Sequence, residues 1–481
     1  MKKILYYILI VGCCAGLMWF IIDRGQYLTP KQGIVDVSYS SQYRAAETRP
    51  HVADESIIEQ FTHHIQNPIS LLLLQIITIL VFSRFFGVLF SKLGQPLVIG
   101  EIIAGIFLGP SILGVLFPDF FVALFPKESL KSLQYLSQIG LTFFMFIIGM
   151  ELDVTKIRKR TRDAIVVSHA SIMIPYLLGI MLAYCIYAEY APANVSFLSF
   201  SLFLGISMSI TAFPVLARIL QERKLTRTTL GALAITCAAA DDVTGWCILA
   251  AVIAIVRAGN IFSALSTIGL VSIFILFMLN IIRPWFTKMS ARHINGDSLS
   301  KSVVATSFFI LLLSAYIAEV IGIHLLFGAF IAGVVMPRNI GFKKALKAKV
   351  EDISVLILLP IFFAFTGLRT QIGLLSEGHL WTLCGIIILV AVVGKLAGSA
   401  LTARFLNHSW RDSLSLGILM NTRGLMELIV LNIGYDIGIL TPEIFAIMVL
   451  MALATTFMTG PLLNLVEGIF PHKTKLQLEK A

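Results

Sequence analysis

The stretch GISMSITAFPVLARIL, Gly205–Leu220, has a counterpart in GILMNTRGLMELIVLN, Gly417–Asn432. Both start Gly-Ile-x-Met, and both carry polar or helix-breaking residues at the centre of an apolar run. In the first these are Ser209, Thr211 and Pro214; in the second, Asn421, Thr422, Arg423 and Gly424. Proline lacks the N–H that continues a helical ladder. A broken helix in a bilayer frees backbone groups, which is tolerated only where they line a cavity or meet a partner. Either break alone reads as a plain kink. A break in both members of a pair favours a functional element.

The setting is a membrane. Of 481 residues 57% are hydrophobic and 13% charged, with mean hydropathy +0.89, whereas a soluble domain is about a quarter charged. Apolar runs of about 20 residues, each long enough to cross a bilayer, recur throughout: one at 4–22, then thirteen between 68 and 466. The expected class is an all-α polytopic membrane protein. The six cysteines lie in apolar runs without metal-ligand spacing and read as packing residues.

The formal charge of +10 is explained by its distribution. Lys156, Arg158, Lys159, Arg160 and Arg162 share one connection, and Arg223, Lys224 and Arg227 another. Arg283, Lys288, Arg292 and Lys301 share a third, Arg338, Lys343, Lys344, Lys347 and Lys349 a fourth, and Arg404 and Arg411 a fifth. Alternating spans place all of these, and a tail with Lys473, Lys475 and Lys480, on one side; the opposing AEYAPANVSF and YDIGILTPE carry no Lys or Arg. That asymmetry marks the cytoplasmic face, so a multi-pass protein of a bacterial inner membrane with an inward C-terminus is expected, not a nucleic-acid binder. Residues 1–24 read as an uncleaved anchor or a signal; the apolar run continues past Cys13, against a lipoprotein signal. Residues 25–67 read as a periplasmic segment, 68–467 as a transmembrane domain of about thirteen helices, and 468–481 as a short basic cytoplasmic tail.

GEIIAGIFLGP, Gly100–Pro110, resembles GAFIAGVVMP, Gly328–Pro337, and the members of both pairs run in opposite directions through the expected topology. Inverted repeats are a mark of secondary transporters.

TCAAADDVTGWCILA, Thr236–Ala250, places Asp241 and Asp242 in an otherwise apolar run. One such carboxylate costs about 3 kcal/mol on insertion scales, and two adjacent ones cannot both ionise freely. Successive helical positions point about 100° apart, so one acid can face a water-filled cavity and the other a protein partner. Lys395, alone in LVAVVGKLAGSAL, is the candidate partner. A helix-locking ion pair is the alternative to ion or proton binding. Arg423 and Glu427 have the i,i+4 spacing of a same-helix pair. Glu101 and Glu319 are candidate structural partners for Arg369 or Arg423. His169 and His324 read as hydrogen-bonded packing residues.

LGQPLVIGEIIAGIFLGPSILG, FFMFIIGMELD, SITAFPVLARIL, CAAADDVTGW, IGIHLLFGAFIAGVVMP, FFAFTGLRTQIGLL and MNTRGLMELIV occur in order from Leu93 to Val430. The set resembles the monovalent cation:proton antiporter family 2. The resemblance implies an inverted-repeat sodium/proton antiporter fold of thirteen helices. In it a panel domain dimerises and two broken helices cross in a core domain that moves like an elevator. It implies that Asp242 binds the cation and releases protons, that Asp241 pairs with Lys395, and that Ser209, Thr211, Asn421 and Thr422 line the break. Plant-type members replace the first acid by Asn; this chain keeps both, a pattern linked in the family to electrogenic exchange.

The expected activity is exchange of Na⁺ or Li⁺ for protons across the bilayer by a homodimer. A K⁺/H⁺ or broad-specificity antiporter is the close alternative, and a cation channel or non-transporting sensor on the same fold the remote one. No P-loop, dinucleotide fingerprint, Ser-His-Asp set or metal cluster is present in the sequence. Neither an enzyme nor a cofactor is expected; a monovalent cation at Asp242 is the sole metal.

Overall fold

A computed structural model describes residues 2–28, 67–151, 162–226, 228–258, 261–291, 294–295, 298–337, 339–376 and 378–470. Most of the 25–67 segment, most of the 468–481 tail, and the basic residues Lys156, Arg158, Lys159, Arg160, Arg227, Arg292 and Arg338 lie outside the described residues.

The described residues are helical nearly throughout: a two-stranded antiparallel ladder at Ile294–Asn295 and Ser298–Leu299 is the only sheet among them. An N-terminal helix α1 (Lys2–Gly25) precedes α2 (Pro68–Lys92), α3 (Leu97–Leu108), α4 (Lys127–Glu151) and α5 (Arg162–Tyr190). The first broken span is α6 (Phe197–Ser209) with α7 (Phe213–Glu222), followed by α8 (Thr229–Ala258) and α9 (Ile261–Phe277). Then come α10 (Lys301–Ile321), α11 (Leu325–Val334), α12 (Ile340–Ile353) and α13 (Leu359–Arg369), the last two joined by a π-helical turn. Another π-turn joins α14 (Gly378–Val392) to α15 (Gly398–Phe405). The second broken span is α16 (Trp410–Met420) with α17 (Leu425–Asp436), and α18 (Pro442–Phe457) with α19 (Thr459–Ile469) ends the fold. Among the described residues, twelve helical segments are long and apolar enough to cross a membrane. The expected run 322–336 contracts to the ten-residue α11, about 15 Å at helical rise.

One boundary differs from expectation. The basic stretch around Lys343–Lys349 is helical, and runs into the next span instead of forming a loop. It is amphipathic: Phe342, Leu346 and Val350 are buried, while Lys347 meets Glu151 at 2.5 Å and Glu351 at 3.1 Å. Apolar burial on one face and ion pairing on the other support a helix where charge alone suggested a connection.

The packing separates two bundles. α2, α3, α4, α10, α11 and α13 pack among themselves, as do α5, α6, α8 and α14 to α19. Glycines set the spacing of the first. A Cβ on Gly100 of α3 would collide with the Phe86 carbonyl of α2, and one on Gly328 of α11 with the Ser314 carbonyl of α10. A Cβ on Gly105 would strike Ala364 O of α13, and one on Gly333 would strike Phe146 O of α4. Gly367 meets Ile102 O and Gly149 meets Phe330 O in the same way. Each repeat's glycine-bearing helix thus packs on its own predecessor and on the span that follows its counterpart in the other repeat. Small residues permit such backbone approach in membranes.

The glycine contacts predict a sharp positional contrast. Gly105→Ala and Gly333→Ala lower the melting temperature in detergent and reduce recovered monodisperse protein; Gly269→Ala, with open space at its Cβ, leaves both unchanged. Equal behaviour of all three would exclude close helix packing as the reason for these glycines.

Candidate ion-binding site

Asp241 and Asp242 lie mid-way along α8, in the second bundle. Asp241 is fully buried and well supplied with donors. Ser168 Oγ of α5 donates to its Oδ1 at 2.6 Å. Its Oδ2 has Thr211 Oγ1 at 2.8 Å, Ser171 Oγ at 3.2 Å and Lys395 Nζ at 3.0 Å. Lys395, at the π-turn between α14 and α15, is also fully buried. A buried charge is tolerated when paired and hydrogen-bonded, and both conditions are met here. The sequence reading brought Asp241 and Lys395 forward but missed Ser168 and Ser171. Their signal is a Ser-x-x-Ser spacing on one face of an apolar helix.

Asp242 is buried but differently equipped. Its Oδ1 is without a protein hydrogen-bond partner, and its carboxylate lies near the backbone N–H of Phe213, the first residue of α7. Helix N-termini present free N–H groups and a partial positive charge to anions.

The two breaks cross at this point. The Ala212 N–H donates to the Thr422 carbonyl at 3.0 Å, tying one unwound segment to the other. Thr211 Oγ1 also lies 3.0 Å from Met420 O, so its one proton serves either that carbonyl or Asp241. Pro214 sits in the first turn of α7, where its missing N–H has no intrahelical acceptor to disappoint. Ser209 and Thr422 turn inward on their own helices, donating to Gly205 O and Leu419 O at 2.7 Å. Asn421 Oδ1 is buried and unpartnered.

Arg423 closes the carbonyl end of α6. Its guanidinium donates to Ser207 O at 2.9 Å and Met208 O at 2.7 Å, and to Glu427 Oε2 at 2.6 Å. Positive charge at a helix C-terminus and Glu427 in the first turn of α17 both oppose the local helix dipole. The i,i+4 pair is therefore also an inter-helix cap.

Glu101 and Glu319 do not partner Arg369 or Arg423. Glu101 faces Arg218 and Arg84, and Glu319 lies 3.6 Å from Arg257 while accepting from the Leu325 N–H. Arg369 pairs with Asp436 at 2.7 Å, a partner the sequence reading did not consider. The cause is topological: α13 and α17 end together, so charges at those ends meet. Gln134 donates to Asp436 at 3.1 Å and Asn432 to Thr366 at 2.8 Å. These contacts and His324, whose Nδ1 caps α11, surround a gap of about 20 Å³. His169 Nδ1 lies 2.8 Å from Ile165 O.

A family model described as sodium/hydrogen exchanger, transmembrane, matches residues 76–466. The chain belongs to that family. The Na(+)/H(+) antiporter NhaS4 of Synechocystis is 43% identical over 406 residues, 84% of this chain and 98% of the relative. The Arabidopsis thaliana cation/H(+) antiporter 17 is 39% identical over 86% of this chain and 50% of its own, and the Saccharomyces cerevisiae K(+)/H(+) antiporter 1 is 33% identical over 85% and 48%. The chain thus spans about half the length of the plant and yeast relatives. The solved structure of the sodium proton antiporter MjNhaP1 from Methanocaldococcus jannaschii at pH 8 superposes with a TM-score of 0.63 over 84% of this chain and 100% of that one. At 15% identity that match speaks to the fold alone. The protein is a multi-pass membrane member of the cation/proton antiporter family, with the inverted-repeat fold and two crossed broken helices.

Arg423→Ala strands Glu427 and two helix-end carbonyls, a loss of roughly 3–5 kcal/mol for breaking a buried pair from one side. A large drop in melting temperature is expected, partly recovered when Glu427→Met is added to Arg423→Met. A parental melting curve for Arg423→Ala would remove the capping role.

Proposed function

We propose that the protein exchanges Na⁺ or Li⁺ for protons by alternating access at Asp242. The observation that carries this is the contrast between neighbours. Asp241 has its oxygens occupied by three hydroxyls and an ammonium, whereas Asp242 keeps a buried oxygen open beside the crossing. An open carboxylate oxygen takes a monovalent cation or a proton, not both, and that exclusion couples the two fluxes. Asp241 and Lys395 form a neutralising pair beside it. Thr211 links that pair to the break; Ser209, Asn421 and Thr422 shape the unwound backbone. Glu101, Glu319, Arg369, Arg423 and Glu427 serve as structural ion-pairing residues. The reading needs no cofactor and no catalytic residue in the enzymatic sense.

The relative named as a Na(+)/H(+) antiporter matches along nearly its whole length, which favours sodium. A K⁺/H⁺ or broad-specificity exchanger is the second reading, favoured by the yeast relative named as a K(+)/H(+) antiporter. The protein acts as a homodimer in a bacterial inner membrane, with its C-terminus inside. Helix α1 packs on α5 and α6 and is read as a retained anchor.

Alternating access requires the two bundles to shift against each other. In this reading the polar contacts of Arg369, Gln134 and Thr366 with Asp436 and Asn432 tie the bundles at the end assigned to the outside. The gap beside them has room for about one water, too little for a hydrated cation.

Purified protein in liposomes, acid inside, tests the assignment. Na⁺ or Li⁺ added outside alkalinises the lumen; Asp242→Asn abolishes this, and raising external proton concentration raises the apparent KM for Na⁺ without lowering Vmax. Normal exchange by Asp242→Asn would sink the site, and a K⁺ response as large as that to Na⁺ would turn the reading to potassium. In a background lacking the six cysteines, Gln138→Cys, at the outer gap, reacts several-fold faster with an external impermeant thiol reagent when Arg369→Ala is added. An unchanged rate would show that the contacts do not hold the outer side closed.

A further inference from the structure

Lys395 has three N–H protons and three acceptors: Thr211 Oγ1 at 2.6 Å, Ser171 Oγ at 2.9 Å and Asp241 Oδ2 at 3.0 Å. An ammonium donates three hydrogen bonds and accepts none, so its capacity is used within the protein. Ser171 and Thr211 accept from Lys395; Ser171 presents its own proton to the same Asp241 oxygen, and Thr211 shares its proton between that oxygen and Met420 O. These groups close on Oδ2. Oδ1 is held separately, by Ser168 at 2.6 Å, and Ser168 is itself fully buried.

A carboxylate held at one oxygen retains freedom to pivot about it. Asp242 is the next residue on α8, and its own Oδ1 is unpartnered. We propose that Ser168 is a positioning residue for the exchange: it pins Asp241 Oδ1 to α5, so that a cation at the site meets one carboxylate rather than two. The proposal rests on Asp242 being the exchange site.

The electrostatic consequence is definite. One carboxylate neutralises one monovalent cation. A second carboxylate oxygen turned to the same ion raises the field at the site, which tightens binding, slows release and favours the smaller ion. Selectivity in ion sites follows the number and field strength of the ligands. Ser168 thereby acts on ion order and affinity without contacting the ion. Removing it leaves the Lys395–Asp241 contact and all three Lys395 acceptors in place, which separates its role from that of the ion pair.

Ser168→Ala, Ser168→Thr and Ser168→Cys are compared in proteoliposomes for apparent KM and Vmax with Na⁺, Li⁺ and K⁺, beside Asp242→Asn. Ser168→Ala is expected to lower the apparent Na⁺ KM roughly tenfold, the scale of one hydrogen bond to a charged group, to lower Vmax, and to shift preference toward Li⁺. Ser168→Thr, which keeps the hydroxyl, behaves as the parent. Ser168→Cys, nearly isosteric and a weaker donor, moves in the same direction by less and serves if the alanine variant does not fold. Parental KM values and ion order in Ser168→Ala, or in Ser168→Cys where alanine fails, overturn the proposal, whatever happens to Vmax or melting temperature. Exchange surviving Asp242→Asn overturns the site assignment instead, a result legible independently of the serine variants.

Discussion

The structure is organised around backbone that a bilayer does not tolerate. Two helices stop in mid-membrane, and each stop frees carbonyls on one side and N–H groups on the other. The molecule satisfies them by crossing the breaks and adding three charged side chains. Arg423 serves the carbonyl end of α6, Asp242 stands near the first N–H of α7, and Glu427 stands in the first turn of α17. The unwound segments also bond directly, Ala212 to Thr422. Without these contacts the breaks would be costly defects; with them they form a rigid polar centre within apolar helices.

That centre lies in one bundle, and the glycine contacts build the other. The division leaves the interface between bundles with sparser ties. Trp246 of α8 stacks on Phe330 of α11 at 6.2 Å, and Arg369 meets Asp436 where α13 and α17 end. A tightly braced charge pair thus lies inside one unit, with a few polar ties between the units.

The helices were legible as apolar runs of spanning length, and the two breaks, the acidic pair and the lone Lys395 because each violates a local rule. Charge within an apolar run and proline in mid-span are visible one residue at a time. Ser168 and Ser171 violate nothing: a serine in a membrane helix satisfies itself on its own backbone, and only the fold brings Asp241 from 73 and 70 residues away. The partners of Glu101, Glu319 and Arg369 escaped for the same reason. Each is set by which helices the fold brings together, and periodicity does not carry that information. The basic stretch that continues as α12 misled because its ion pairs are partly long-range, Lys347 to Glu151 among them.

The glycine contacts also bear on biosynthesis. Gly105 of α3 needs the backbone of α13 against it, yet α13 lies about 250 residues further along the chain. At translation speeds of about 5–20 residues per second, α3 waits on the order of ten seconds or more for that neighbour. Gly333 of α11 has no such delay, because α4 is already in place. The two repeats, equivalent by packing in the finished molecule, are therefore unequal during synthesis. The first spends its early life with an unfilled glycine face, and the second arrives to a finished one.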